Sequence, residues 1–438
     1  MAEYSNTMTR RELLYSLLTK DRSLYTSYLP REIVSLVLDY SVTRLFVVGA
    51  NQNGKLGTGD LDNRKQLVEL GYHPQDAIVT NDNILLLING DCYISGRNGG
   101  NGGIGGNGGN RFGIDTNEEQ YLIDKYPGKY IYRQIGKTKD RRYDQRYTLE
   151  FINLSELKRE QLGDQYIIKI ASSELHTLIL TNENKCYSFG SNAYGAIGIG
   201  DNVESDKWNL VAENVIDIEC GFYNSCYLTK EGEMFIFGYI KIDVSDWEKV
   251  YTPRRFTNYS NVSKIFLSDS NIAFIHNDNL YVYGDNSENK LGFDAKFIHT
   301  PTILLDQFDT PLSHVQKICF ARGHTMIIAN NQLYICGSND KGQLGLGDII
   351  NINRVQIMDQ FIGKNVTDIA TYEYSSYVVA DKICYATGAN DYGALGLNEI
   401  QYYITKFTPM PMFTSTFIKS INRVLVRSGG RTAALIIN

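Results

Sequence analysis

The sequence predicts an all-β chain: a seven-bladed β-propeller closed by pairing of its amino- and carboxy-terminal strands, with a short α-helical extension ahead of the ring. Three observations predict it. A glycine-rich signature recurs as LFVVGANQNGKLGTGD at 45–60, CYSFGSNAYGAIGIGD at 186–201, LYICGSNDKGQLGLGD at 333–348 and CYATGANDYGALGLNE at 384–399. Self-similarity at a period of this size marks a solenoid, a propeller or an array. A second half recurs upstream of the signature, as IIKIASSELHTLIL from 167, VIDIECGFYNSCYL from 215, VSKIFLSDSNIAFI from 262, VQKICFARGHTMII from 315 and VTDIATYEYSSYVV from 366. Weaker copies stand at AIVTNDNILLLI from 77 and IKSINRVLVRSGGRTAALII from 418. Finally, the halves are out of phase with the termini: SVTRLFVVG at 41–49 has no half before it, and AALIIN at 433–438 has no strand after it. Pairing those two completes a blade and removes the edges that an open array would expose.

Composition agrees and bounds the function. Of 438 residues 43% are hydrophobic, with 31 Tyr and 18 Phe, and aromatic rings suit a pleated, half-buried surface. A net charge of -6 is against wholesale nucleic-acid binding through a basic surface, so any such contact must be local. The seven Cys include no CxxC pair, and most sit in strand-like apolar runs such as LYICG. Buried free thiols are expected, which suits a reducing compartment. The apolar residues near the amino terminus are broken by Arg10, Arg11, Glu12, Lys20, Asp21 and Arg22, unlike a secretion signal, and the longest aliphatic run, ILLLI at 84–88, is too short to span a bilayer. The expectation is an intracellular, monomeric protein, cytoplasmic or nuclear, without membrane contact.

The elements follow in chain order. Thr9 and Glu12 suit a capping box for a helix with Leu13, Leu14, Leu17 and Leu18 on one face. A second helix is expected from Pro30, with Ile33, Leu36, Val37 and Tyr40 at helical spacing. Residues 1–42 are therefore read as a helical extension and 43–438 as the ring. The glycines after the aromatic-rich strands (Gly49, Gly96, Gly190, Gly238, Gly284, Gly337 and Gly388) fall 46 to 53 residues apart, save one interval of 94. Seven first halves match seven second halves, so the long interval is read as a flexible insertion at about 97–165. Its first part, RNGGNGGIGGNGGNRFG at 97–113, lacks the Gly-Lys-Ser/Thr ending of a phosphate loop.

The later part of the insertion concentrates opposite charge. Residues 125–147 hold Lys125, Lys129, Arg133, Lys137, Lys139, Arg141, Arg142 and Arg146 against Asp140 and Asp144, interleaved with tyrosines including Tyr143. Basic groups alternating with stacking surfaces suit nucleic acid, a nucleosome or an acidic protein patch, although a charge run is commonly just solvated. These eight cations and Tyr143 are the candidate partner-binding residues. In the signature itself, glycines permit the reversal and a lone aliphatic (Leu56, Ile197, Leu344, Leu395) plugs it into the core. The copies at Gly96, Gly238 and Gly284 depart from the pattern. After Gly238 the chain runs YIKIDVSDWEKVYTPRRF, so that turn must be rebuilt.

The G-x-N-x-x-G-x-L-G core and the repeat length resemble the regulator of chromosome condensation repeat family over 43–438, apart from the insertion. The resemblance implies a seven-bladed propeller. It also implies a choice of roles, because founding members act as guanine-nucleotide exchange factors for a small nuclear GTPase and bind nucleosomes, whereas many relatives use the ring as a protein-binding platform. The family's G-x-x-H-[ST] element is matched around His324 and His176, with Ser225, Ser376 and Thr432 read at the corresponding positions. Both histidines sit in repeated slots, which favours a structural role over acid-base chemistry; no catalytic, cofactor-binding or metal-binding residue stands out. LPREIVSLVLDY is similar to the opening helix of an F-box, although the first strand follows too soon for the rest of that module. Richness in Asn, Ile, Tyr and Lys resembles members from giant DNA viruses. The leading expectation is a non-enzymatic interaction scaffold without a cofactor. Its alternatives are nucleotide exchange on a Ran-like GTPase, which would need a projecting hairpin with acidic or aromatic contacts, and substrate recruitment to a ubiquitin-ligase adaptor.

Overall fold

The computed structural model describes residues 43–97, 130–134, 144–157, 159–173, 175–203, 205–256, 258–398, 401–412, 424–429 and 431–437. The helical extension, almost all of the glycine-rich run and most of the basic stretch lie outside them. Seven antiparallel sheets form the blades of a propeller. Blade I begins with β1 (Arg44–Gly49) and β2 (Arg64–Leu70). Blade II holds β3 (Asp76–Val79), β4 (Asn83–Ile88), β5 (Asp91–Arg97), β6 (Tyr130–Gln134) and β7 (Asp144–Asn153). Two short helices follow, α1 (Leu154–Leu157) and α2 (Arg159–Leu162). Blade III is β8 (Ile167–Ser172), β9 (His176–Thr181), β10 (Cys186–Gly190) and β11 (Ser205–Ala212). Blade IV is β12 (Val215–Cys220), β13 (Asn224–Thr229), β14 (Met234–Lys241) and β15 (Trp247–Arg255). Blade V is β16 (Val262–Leu267), β17 (Asn271–His276), β18 (Asn279–Asp285) and β19 (Phe297–Ile303). Blade VI is β20 (Val315–Phe320), β21 (His324–Ala329), β22 (Gln332–Gly337) and β23 (Ile352–Ile357). Blade VII is β24 (Val366–Tyr372), β25 (Ser375–Ala380), β26 (Ile383–Ala389) and β27 (Tyr403–Pro409). Last come β28 (Val424–Gly429) and β29 (Thr432–Ile437), which return to blade I.

That return is a strand pairing. β29 runs antiparallel to β1 from Arg44↔Ile437 to Gly49↔Thr432, and β28 pairs with the other edge of β29. The junction is tied further by Ala50 N–H donating to Arg431 O at 3.0 Å and Thr432 Oγ1 donating to Ala50 O at 3.0 Å.

Burial explains the apolar pattern. The second strand of a blade is covered on both faces by neighbouring blades, and every residue of β9, β13, β21, β25 and β29 is buried. Such strands read as unbroken apolar runs rather than alternating ones. The core therefore lies between blades: Leu178, Ile218, Phe237, Ile265 and Phe274 of blades III, IV and V share one cluster.

The ruler glycines have a steric cause. Gly337 has φ +106, and a Cβ there would lie 2.3 Å from Gly323 O, at the turn between β20 and β21. Only glycine lets the third strand bulge against that turn. The signature asparagine then organises the loop: Asn339 Oδ1 accepts from Leu344 N–H at 2.9 Å while its Nδ2 donates to Asp348 O at 3.1 Å.

Two sequence expectations need correction. The copy at Gly284 keeps the signature after all: Asn286 Oδ1 accepts from Leu291 N–H at 2.7 Å, and Asn289, with φ 54, stands where glycine does elsewhere. Asparagine tolerates the left-handed region, so the motif survives without its second glycine. In addition, the stretch 97–165, expected as a flexible insertion, supplies β6, β7, α1 and α2. β7 pairs with β5 as the fourth strand of blade II, and β6 adds a fifth.

Candidate protein-binding face

Strand direction decides where the chemistry gathers. The turns from first to second strand and the signature loops after the third strand emerge at the same face of the ring, whereas the second-to-third turns, such as Asn277-Asp278 and Asn330-Asn331 with φ > 0, occupy the other. At the centre of the first face lies a basin of about 840 Å³. Its walls are built from first-to-second turns (Phe222, Asp269, Arg322, Tyr372, Glu373) and from signature loops (Asp285, Glu288, Lys290, Asp340).

The inner strands are joined through charged side chains. Lys169 of β8 contacts Asp217 and Glu219 of β12 at 2.6 and 2.8 Å, and Lys317 of β20 contacts Asp368 of β24 at 2.6 Å. Asp368 Oδ2 also accepts from Val426 N–H of β28 at 2.9 Å. Burial works against the charge of Lys169, but the two carboxylates outweigh it and hold the ammonium above its usual range. Lys264 of β16, which donates to Gln316 O, is pushed down, chiefly by burial. These groups stitch blade to blade along the first strands.

Blade IV breaks the pattern of the face. Where the signature is missing, β14 and β15 continue past Gly238 as a hairpin, pairing Tyr239↔Lys249, Ile240↔Glu248 and Lys241↔Trp247, and Ile242 N–H closes the turn on Asp246 O at 3.0 Å. Its ring stack runs from Trp247 to Tyr239 (4.7 Å between centroids) and on to Tyr194 (4.6 Å), with Tyr223 and Phe222 edge-on beyond, so an aromatic ladder leads from the hairpin to the basin wall. Ile242, Val244 and Trp247 are 42%, 52% and 37% exposed, which makes the tip an apolar patch beside Asp243 and Asp246. Lys241 fixes the base to blade V through Asp285 (3.1 Å), which also meets Lys290 (3.0 Å). Burial opposes ionisation of Asp285, but these partners and Ser287 outweigh it and bring the carboxyl to about 2.

The histidines prove to be joints between blades. His176 Nε2 hydrogen bonds Ser225 Oγ of the next blade, and His324 Nε2 hydrogen bonds Ser376 Oγ of the next blade, each at 2.7 Å. Burial lowers them to about 4 and about 3, so both are neutral near pH 7. Strand register corrects the sequence alignment here. Asn224 and Ser375 stand opposite Gly238 and Gly388 as His176 and His324 stand opposite Gly190 and Gly337. Ser225 and Ser376 are thus one residue beyond the histidine slot and serve as its partners. Thr432, opposite Gly49, does occupy the slot. The seven cysteines are free, five of them buried.

Of the residues singled out in the basic stretch, Arg133 lies in β6 opposite Gln145 and Arg146 in β7 opposite Tyr132. Lys125, Lys129, Lys137, Lys139, Arg141, Arg142 and Tyr143 lie outside the described residues. The hairpin was not located by sequence reasoning; its signal was the absence of the signature after Gly238, followed by the alternation YIKI. Among the described residues no helix is long and apolar enough to cross a membrane, and no group of three or more His, Cys, Asp or Glu is placed to hold a metal ion.

Comparison with known proteins agrees with the geometry. Residues 167–196 match the regulator of chromosome condensation (RCC1) repeat. The serine/threonine-protein kinase Nek9 of Xenopus laevis is 24% identical over 264 residues, 54% of this chain and 28% of that protein. The X-linked retinitis pigmentosa GTPase regulator of Homo sapiens is 26% identical over 325 residues, 60% of this chain and 32% of that protein. The chain thus spans less than a third of the length of either relative. Among solved structures, yeast RCC1 (Prp20) bound to Kap60 superposes with a TM-score of 0.69 at 16% identity, over 90% of this chain and 89% of that one.

Proposed function

We propose that this chain, a seven-bladed propeller of the RCC1 repeat type, is a non-enzymatic platform that holds a protein partner on the face carrying the basin and the blade IV hairpin. The observation that carries the reading is the hairpin: where the signature is missing, β14 and β15 extend past Gly238 by cross-strand pairing and leave Ile242, Val244 and Trp247 exposed at the tip. Exposed aromatic and aliphatic side chains over a rigid base are the usual anchors of protein interfaces. The Prp20 structure supports it by analogy, since there a protein with this fold is bound to another protein, Kap60. The test is affinity capture with the wild-type ring and with a Tyr239→Ala, Trp247→Ala variant. Loss of the captured proteins from that variant, and their retention by Glu231→Gln at the opposite end of blade IV, is the expected result. Equal capture by both variants would remove the assignment.

The same hairpin favours a second reading, guanine-nucleotide exchange on a Ran-like small GTPase, because exchange proceeds by wedging an element against the nucleotide site rather than by acid-base chemistry. Release of labelled GDP that the wild-type ring accelerates and Trp247→Ala does not would support exchange. No acceleration at micromolar protein leaves the platform reading alone. The basic stretch at 125–147 is a proposed second contact, supported by its charge; binding to duplex DNA that falls steeply with salt is its signature.

A further inference from the structure

We propose that the leucine-bearing segment at residues 9–22 docks on the face of the ring opposite the basin, over an apolar patch formed by Tyr166, Ile168 and Ile216. The first strands supply an internal comparison. In five of them the register skips one residue, between Ile167 and Lys169, Val215 and Asp217, Val262 and Lys264, Val315 and Lys317, and Val366 and Asp368. The bulged residue leaves the ladder, and in every case it is exposed, near the end of the strand away from the basin. Blades V, VI and VII place Ser263, Gln316 and Thr367 in this slot, as exposure favours, but blades III and IV place Ile168 and Ile216, 46% and 44% exposed. Lys169 and Asp217, the next residues, touch at 2.6 Å, so the two isoleucines are neighbours across the blade boundary. The exposed Tyr166 continues the patch toward blade II, where a Cβ added to Gly90 would lie 2.8 Å from the tyrosine Cβ. Adjoining exposed apolar side chains of this kind mark an interaction site. Phe308 and Ile362, also exposed, lie farther round the ring on the connections after β19 and β23.

The point at which the chain enters the ring selects the occupant. β1 starts at Arg44, opposite Ile437 near the end of β29, and therefore on the same face as the patch. His73 Nδ1 donates to Thr43 O there and holds the entry in place. Upstream, Leu13, Leu14, Leu17 and Leu18 follow the Thr9 and Glu12 capping box at helical spacing, a stripe that needs an apolar surface to cover it. The 24 residues between Leu18 and Thr43 reach about 36 Å even if wholly helical. Blade III is two sheet spacings from blade I, about 20 Å, so the tether is long enough. Charge agrees. On the turns of blades III and IV at this face, Glu183 pairs with Lys185 and Glu233 with Arg255, and Lys230 offsets Glu231, which leaves Asp164 and Glu213 in excess. The segment has the opposite sign, with Arg10, Arg11, Lys20 and Arg22 against Glu12 and Asp21. Docked there, it leaves the basin and the hairpin open, so this inference is independent of the proposed partner face.

The experiment is hydrogen exchange of the full chain, read by mass spectrometry at residues 9–22. In the wild type the segment exchanges at least about tenfold more slowly than an unstructured chain. Ile168→Asp, Ile216→Asp removes that protection, whereas Val203→Asp, at an exposed site on the basin face, keeps it; an unchanged unfolding midpoint shows that the ring is intact. Hydroxyl-radical labelling of Tyr166 reads the same contact from the ring side, and it rises on Leu14→Asp, Leu17→Asp, a variant that leaves the sequence of the ring untouched. Four results overturn the proposal: wild-type exchange at the rate of an unstructured chain, protection that survives Ile168→Asp, Ile216→Asp, protection that grows with protein concentration and so comes from a second copy, or Tyr166 labelling indifferent to the leucine substitutions.

Discussion

At the scale of the residue, the repeat is a set of steric and hydrogen-bonding necessities. Gly337→Ala places a Cβ against Gly323 O in a backbone region closed to alanine, and a loss of at least about 2 kcal/mol is expected from denaturant unfolding. The His–Ser joints make a second prediction. Both histidines have folded-state values depressed below 6.5, so the unfolded chain takes up protons that the native ring excludes. Their contribution is complete above pH 6.5 and is lost as pH falls toward about 4 for His176 and about 3 for His324, on the order of 3 kcal/mol for the first and 5 kcal/mol for the second. His176→Asn with His324→Asn, using the residue native to the slot in blade IV, should flatten that acid limb in urea titrations at stepped pH. The glycines and the plugging leucines were legible from the sequence because each repeats a backbone constraint. The bonds from His176 to Ser225 and from His324 to Ser376 were not, because they join residues about fifty positions apart across a blade boundary, and a one-residue slip in alignment set the serines in the wrong slot.

Among the elements, the informative ones are those that depart from the repeat. β7 is not legible in the sequence because the two recurring halves cover only the inner three strands of a blade and the fourth varies, so it falls inside the long interval between Gly96 and Gly190. The hairpin of β14 and β15 was visible only as a missing signature, and its length comes from cross-strand pairing that composition does not reveal. Replacing Tyr239–Lys249 by the blade VI turn SNDKGQLGLGD removes the buried Ile240 and the Lys241–Asp285 pair but brings in the signature's plugging leucine, and should leave the thermal midpoint within a few degrees, because Gly238 and the strands beneath it stay. A collapse of that midpoint would show the hairpin to be part of the fold rather than an addition to it.

The whole molecule is a ring in which blade I is shared between the two ends of the described chain. Leu435 of β29 is 0% exposed and packs with Phe46 and Val48 of β1 and Tyr377 of blade VII, so Leu435→Ala should cost about 2–5 kcal/mol, against less than about 0.5 kcal/mol for Phe308→Ala, which is 76% exposed. Comparable small losses at both sites would mean that the junction does not hold the ring together. The architecture was legible because seven copies of one pattern leave few alternatives. The proposed binding face was not, since it is assembled from the variable positions of many blades, and adjacency around a ring is invisible to local reading. The proposed platform holds its protein partner on this face, through the hairpin. The most direct measurement is affinity capture by the wild-type ring and by the ring with the blade VI turn in place of the hairpin, at matched thermal midpoint. Loss of the captured proteins from the replaced ring is predicted; capture of the same proteins at the same level by both rings would contradict it.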